Sequence, residues 1–237
     1  MDFSLQLWSI KNETAKDFKN ALKLTSDWGY SGVEFAGFGN LSASEMKAEL
    51  EKNNLYSIGS HTPKDLFESA LRENLEYNRT IGSKYMIIPH AVFETKDDVI
   101  KVASLLNESA KIAKEYGITV GYHNHKDEFE KFDGKYILDI LAEETSDDVI
   151  LELDVFWVAK AGENPYEYIE KQGKKIKLIH IKQIDDKGEN CICSEGNIDF
   201  KKVIDTAKYA DYFIVEQEGD VDEKQAGKAN IEYLKSL

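Results

Sequence analysis

Cysteine is nearly absent from this chain of 237 residues, which carries only Cys191 and Cys193. They stand one residue apart, where a disulfide would be strained, and they read as reduced and incidental thiols rather than a redox or metal pair. Long hydrophobic runs are also missing. No stretch approaches the roughly 18 consecutive apolar residues of a membrane span, so none is expected. The first residues, M-D-F-S-L-Q-L, lack the basic start and apolar run of a signal peptide, and a cytoplasmic protein is expected. Positive charge is in deficit: 30 basic against 44 acidic side chains leave a formal charge of -14. Such a surface repels phosphate backbones, which argues against a nucleic-acid partner. The second half of the chain has no arginine and thus no bidentate phosphate clamp. That favours an unphosphorylated ligand, although lysines and backbone amides also bind phosphate.

What is present is material for a core, with 42% hydrophobic and 11% aromatic residues. Wholesale disorder is excluded on that composition. Short β-branched runs alternate with longer segments of helical spacing. Strands are expected over residues 3–10, 32–36, 55–61, 84–90, 118–123, 149–154, 176–182 and 212–216. Helices are expected over 14–28, 42–53, 63–81, 96–116, 136–144, from Pro165, 199–209 and 224–237. Gly29 and Gly117 stand where helices stop, and Ser42 with Glu45 forms a capping-box pattern. Eight strand–helix units of about 30 residues predict one α/β domain over residues 1–237, a closed (β/α)8 TIM barrel. A doubly wound open sheet is the competitor, but no Gly-rich phosphate loop follows the first strand.

Active sites of such barrels lie at the carboxyl ends of the strands. Those ends are expected to carry Glu34, His61, His90, His123, Asp154, His180 and Glu216. All five histidines of the protein fall at, or just beyond, an expected strand end. Alternation puts residues two apart on one face, so Glu152 points with Asp154, His180 with Lys182, and His123 with His125. Charges pointing into a barrel need a reason, because an unpaired buried charge is costly. A divalent metal supplies one, and imidazole with carboxylate suits Zn, Mn, Fe or Co better than Ca. Asp154, His180 and Glu216 on consecutive strands, with His123 from the strand before, would meet around one ion.

Plainer readings stand beside these. His61 and His90 would either line a substrate pocket or serve as hydrogen-bonded structure. Glu34 would either reach the site or pair with a lysine. Trp8 and Trp157 would either fill core or stack on a sugar ring. Acidic and lysine-rich helix faces such as residues 45–52 read as solvated surface.

At these residues the chain resembles the xylose-isomerase-like barrel superfamily, often described as sugar phosphate isomerases/epimerases. The ordered segments are Q-L-W-S (Gln6 to Ser9), G-V-E-F (Gly32 to Phe35), Y-H-N-H-K-D-E-F (Tyr122 to Phe129), L-D-V-F-W-V (Leu153 to Val158), I-H-I-K (Ile179 to Lys182), E-G-N-I-D-F (Glu195 to Phe200) and I-V-E-Q-E (Ile214 to Glu218). The resemblance implies metal positions at Asp154, His180 and Glu216. Its fourth position, commonly Glu, is His123 here. Epimerases of that superfamily face two carboxylates across the substrate carbon, and this chain keeps one of them, Glu216. A His-rich fifth strand is similar instead to inosose dehydratases and related lyases. Ser194 also departs from the more usual G-E-G.

The expected chemistry is proton abstraction beside a carbonyl of a sugar or keto-polyol, with one divalent ion (Mn, Zn, Co, Fe or Mg). Glu216, Lys182 and Glu152 are the catalytic candidates. Glu34, His61, His90, His125, Trp8 and Trp157 are the substrate-binding candidates. Isomerase or epimerase comes first, then dehydratase or lyase, then a non-catalytic sugar-binding barrel. An apurinic-site endonuclease is disfavoured by the charge and by too few ligands for three metals. A homodimer is expected from the frequency with which barrels of this size pair.

Overall fold

The β-branched runs form strands, and the amphipathic runs form the helices that carry the chain back over the outside of the sheet. In this computed structural model, which describes residues 2–219 and 221–237, eight parallel strands close into a barrel. They are β1 (Ser4–Gln6), β2 (Gly32–Phe35), β3 (Tyr56–His61), β4 (Tyr85–Ile88), β5 (Thr119–His123), β6 (Val149–Asp154), β7 (Ile176–Ile181) and β8 (Tyr212–Val215). Each pairs with its sequence neighbours, and β1 closes the ring on β8. No helix among the described residues is long and apolar enough to cross a membrane.

Local chemistry sets the element ends. Ser42 and Glu45 form the expected capping box at the start of Ala43–Lys52. Gly29, Gly82 and Gly117 close helical segments in the left-handed region, which glycine enters without a Cβ clash. Three expected elements end early or divide. The first strand ends at Gln6 because the Gln6 side chain accepts the Trp8 N–H and starts a 3-10 turn over Leu7–Ile10. The helix expected over 14–28 is broken at Asp17, which is extended and whose carboxylate caps Phe18–Trp28 through Asn20 N–H. The helix expected over 63–81 divides at Ala70 into Lys64–Ser69 and Leu71–Ile81.

Two short hairpins are additions to the sequence expectation. One, Lys131–Phe132 with Lys135–Tyr136, turns on Asp133-Gly134, both at positive φ, as a two-residue hairpin requires. The other, Gln183–Ile184 with Asn190–Cys191, follows β7. Cys191 and Cys193 are free thiols, and burial raises both.

Inside the barrel the residues are layered. Ile58, Ile87, Ile150, Leu178 and Ile214 form an apolar plug, separate from the larger core between strands and helices. Polar side chains take over toward the carboxyl ends. On β3 the plug residue Ile58 and the polar His61 are three apart, yet both face inward. A register shift between β2 and β3 reconciles them, because Val33 pairs with Ser57 but Glu34 with Gly59. The extra residue re-aims the strand end, as bulges do beside active sites.

Candidate active site

The strand ends gather three of the five histidines and four carboxylates into one buried cluster. His61, His123 and His180 have ring centroids 4.6 to 5.4 Å apart. Glu152 Oε2 sits beneath them, 2.6 Å from His61 Nε2, 3.0 Å from His123 Nδ1 and 3.3 Å from His180 Nε2. Glu34 Oε2 lies 2.8 Å from His180 Nε2 and accepts a 2.7 Å bond from Gln6 Nε2. The other nitrogen of His180, Nδ1, meets Glu216 Oε2 at 3.0 Å. Lys182 Nζ bonds Glu218 and lies 3.4 Å from Glu216 and 3.7 Å from Asp154.

Backbone and side-chain pins hold the arrangement. Asp154 Oδ1 caps the next helix by accepting Phe156 N–H at 2.8 Å and Trp157 N–H at 3.3 Å. Its Oδ2 is buried without a hydrogen-bond partner. Asn124, between His123 and His125, ties β5 to β6 by accepting Asp154 N–H at 3.0 Å. Glu128 accepts from Tyr122 Oη at 2.6 Å and from His125 N–H at 2.8 Å, fixing the loop after β5. In Y-H-N-H-K-D-E-F the histidines thus face the site while Tyr122, Asn124 and Glu128 set the backbone.

Burial and charge shift these groups in opposite directions. Burial, with Glu152 nearby, pushes the Glu34 carboxyl up to about 7. Burial likewise pushes Asp154 up to about 7 despite the Lys182 ammonium. For Glu152 the burial effect is overcome by His180 and His61, which hold it well below the carboxylate range. For Glu216 it is overcome by Lys182 and the His180 hydrogen bond. His180 is raised because Glu152, Glu216 and Glu34 outweigh its burial. Burial lowers His123 well below its ordinary value and takes His125 down to about 4, so both rings are neutral.

Among the described residues, two overlapping sets of ligand atoms lie close enough to hold an ion: His123, Asp154, His180 and Glu216, or His61, His123, Glu152 and His180, each within 4.8 Å of one another. The first set fits a divalent ion well. It is two imidazoles and two carboxylates, a donor set suited to Zn, Mn, Fe or Co. It also contains the orphaned Asp154 Oδ2, a buried acceptor that such an ion would satisfy.

A cavity of about 630 Å³ opens over the cluster. His61, His90, His123, His125 and Glu216 border it, as does Trp8, which is 44% exposed at the rim. Residues 22–237 match the xylose isomerase-like TIM barrel family. The chain belongs to that family. An inosose dehydratase from Halalkalibacterium halodurans is 25% identical over 235 residues, spanning 81% of this chain and 77% of its own. A sugar phosphate isomerase/epimerase structure from Parabacteroides distasonis is 25% identical, with a TM-score of 0.88 over 100% of this chain and 94% of its own. A zinc-bound IolI protein shares the fold at 17% identity, with a TM-score of 0.78 over 100% of this chain and 97% of its own.

The xylose isomerase-like barrel sorts the sequence candidates by depth. His123, Asp154, His180 and Glu216 come together as one ligand-competent group. Glu34 and Glu152 are fully buried in the floor and do not border the cavity. Lys182 is 1% exposed and enclosed by carboxylates. Trp157 packs against His125, with ring centroids 5.2 Å apart, and lies under Lys182. Sequence reasoning did not single out Glu218, although it borders the cavity and pairs with Lys182. Its signal was available: Glu218 is two residues beyond Glu216 and shares its face.

Proposed function

We propose that this protein is a divalent-metal-dependent enzyme that removes a proton beside a carbonyl of a sugar or keto-polyol, giving an isomerase or epimerase. One observation carries the reading: in the buried group of His123, Asp154, His180 and Glu216, His123 and Glu216 border a cavity of ligand size. His123, Asp154, His180 and Glu216 would hold the ion. When bound, the ion would supply Lewis-acid polarisation of the substrate oxygens.

The chain's own groups divide the remaining work. Glu216 borders the cavity and is kept ionised by Lys182 and His180, so it is the carboxylate ready to accept a proton. Lys182 acts through that carboxylate, as its ammonium is enclosed. Glu152 and Glu34 hold the imidazoles rather than touch substrate. His61, His90 and His125 offer polar contacts for hydroxyl groups along the cavity.

A second reading is dehydratase or lyase. Its support is His125, a neutral imidazole at the cavity whose Nδ1 has no partner: it is a second proton acceptor, able to take the α-proton and return it to a leaving oxygen. The inosose dehydratase relative points the same way. The test is incubation of metal-loaded protein with inosose and a ketose panel in D₂O. Metal-dependent exchange of an α-proton is expected. Recovery of the starting sugar's epimer or isomer assigns the first reading, and an ultraviolet-absorbing enone assigns the second. Absence of both exchange and turnover across the panel sinks the enzymatic reading.

A further inference from the structure

The cavity has two unlike halves. Its imidazoles and carboxylates lie over the strand ends, at His61, His90, His123, His125, Glu216 and Glu218. The loops after β1, β2 and β3 instead present Trp8, Phe38, Pro63 and Leu66. A volume of about 630 Å³ exceeds what a polyol ring over His123 and Glu216 would fill, lying mid-range for pockets that enclose drug-sized ligands.

Charge narrows the ligand further. Among the described residues no lysine or arginine borders the cavity, whereas Glu216 and Glu218 do. The ammonium of Lys182 is already shared among Asp154, Glu216 and Glu218. Barrels of this architecture often bind phosphate at the loops after the seventh and eighth strands and the start of a nearby helix. Here that region is occupied by acids. Asp222 caps the helix Glu223–Leu234 by accepting Gln225 N–H at 2.8 Å. The Glu223 carboxylate takes the Asn12 N–H at 3.1 Å. A phosphate dianion would therefore meet carboxylates with no free cation opposite.

We infer that the substrate is an unphosphorylated polyhydroxy ketone carrying an apolar, ring-sized substituent. The polyol lies over His123 and Glu216, and the substituent lies against Trp8, Phe38 and Leu66. This deepens the proposed function and rests on it. An aromatic wall suits such a group because stacking and apolar burial act together there.

The test uses the metal-loaded full chain and calorimetric titration with four probes: inosose, its mono-O-methyl ethers, its mono-O-benzyl ethers and its monophosphates. The best benzyl ether is expected to bind at least about tenfold tighter than the corresponding methyl ether, and every monophosphate at least about tenfold weaker than inosose. Leu66→Asn and Phe38→Ala are expected to reduce the benzyl preference, with thermal melting as the check on folding. Equal affinity for methyl and benzyl ethers overturns the apolar substituent. Monophosphate binding as tight as inosose overturns the unphosphorylated class. If inosose exchanges its α-proton while no benzyl ether gains affinity, the proposed function stands and this inference falls. If no probe binds at all, both fall.

Discussion

His180 Nε2 lies 2.8 Å from Glu34 Oε2, so the ring is oriented by a carboxylate three strands away around the barrel, while its Nδ1 faces Glu216 at 3.0 Å. An imidazole that donates one N–H to a buried carboxylate presents its other nitrogen in a fixed direction. Glu34 is therefore expected to tune the metal centre without touching the ion or the substrate. Glu34→Ala should weaken metal affinity about 10- to 100-fold, the range typical of such outer partners. A chelator competition at fixed pH measures it. Unchanged affinity in a folded variant would remove Glu34 from this role.

Metal affinity should depend steeply on pH. The Asp154 carboxyl is pushed up to about 7 by burial, so below that pH a proton occupies the group an ion needs. Binding must expel that proton, and affinity then falls about tenfold for each unit below pH 7 per proton released. His180, held protonated by Glu152, Glu216 and Glu34, releases another, so affinity should keep rising above pH 7. Titrations at pH 5.5, 7 and 8.5 give the slope, and a flat profile would contradict Asp154 and His180 as ligands.

Lys182 is the counter-charge to three carboxylates inside the barrel. Asp154, Glu216 and Glu218 all lie within reach of its Nζ, and its side chain is 1% exposed. Lys182→Met removes one partner from a buried ionic group, a change worth about 3–5 kcal/mol of stability. An ion bound beside Asp154 and Glu216 should replace part of that lost charge. Chemical denaturation with and without a divalent ion is the comparison. A variant as stable as the parent in the absence of metal, or one the ion fails to stabilise further, would show that Lys182 does not balance this group.

The barrel was legible because alternation survives in a single sequence: each strand run is apolar, each helix has its stripe, and all five histidines sit near strand ends. The depth of the site residues was not. Alternation places Glu34, Glu152 and Glu216 alike on inward faces, but the stagger of neighbouring strands decides which reaches the cavity. Thus Glu152 and Glu34 ended in the floor, and Glu216 reached the opening. The bulge that turns both Ile58 and His61 inward has no local sequence mark. The Gln6 side chain that ends β1 and holds Glu34 was equally unreadable, because its partner is 28 residues away. Glu218, by contrast, was readable from its spacing to Glu216, yet sequence reasoning did not single it out.

The floor of the site sets a last expectation, at Gly121. It lies on β5 two residues before His123, on the same inward face. A Cβ there would stand 2.6 Å from Ile150 Cδ1, 2.7 Å from the Ile150 carbonyl oxygen and 2.9 Å from Ile87 Cδ1. The two side chains belong to the apolar plug, but the carbonyl belongs to the β5–β6 ladder and yields only if the strands part. Gly121→Ala should therefore cost about 1–3 kcal/mol by overpacking. Because His123 and Glu152 pair across the same two strands, the strain should also reach the metal group and loosen ion binding. Gly82→Ala is the control. Its φ is +83° with nothing within 4 Å of the added methyl, so it should cost stability through backbone strain alone and leave metal affinity as it was. Denaturation curves and chelator competition on both variants separate the cases: equal metal affinity in both would mean that the plug beneath His123 does not position it.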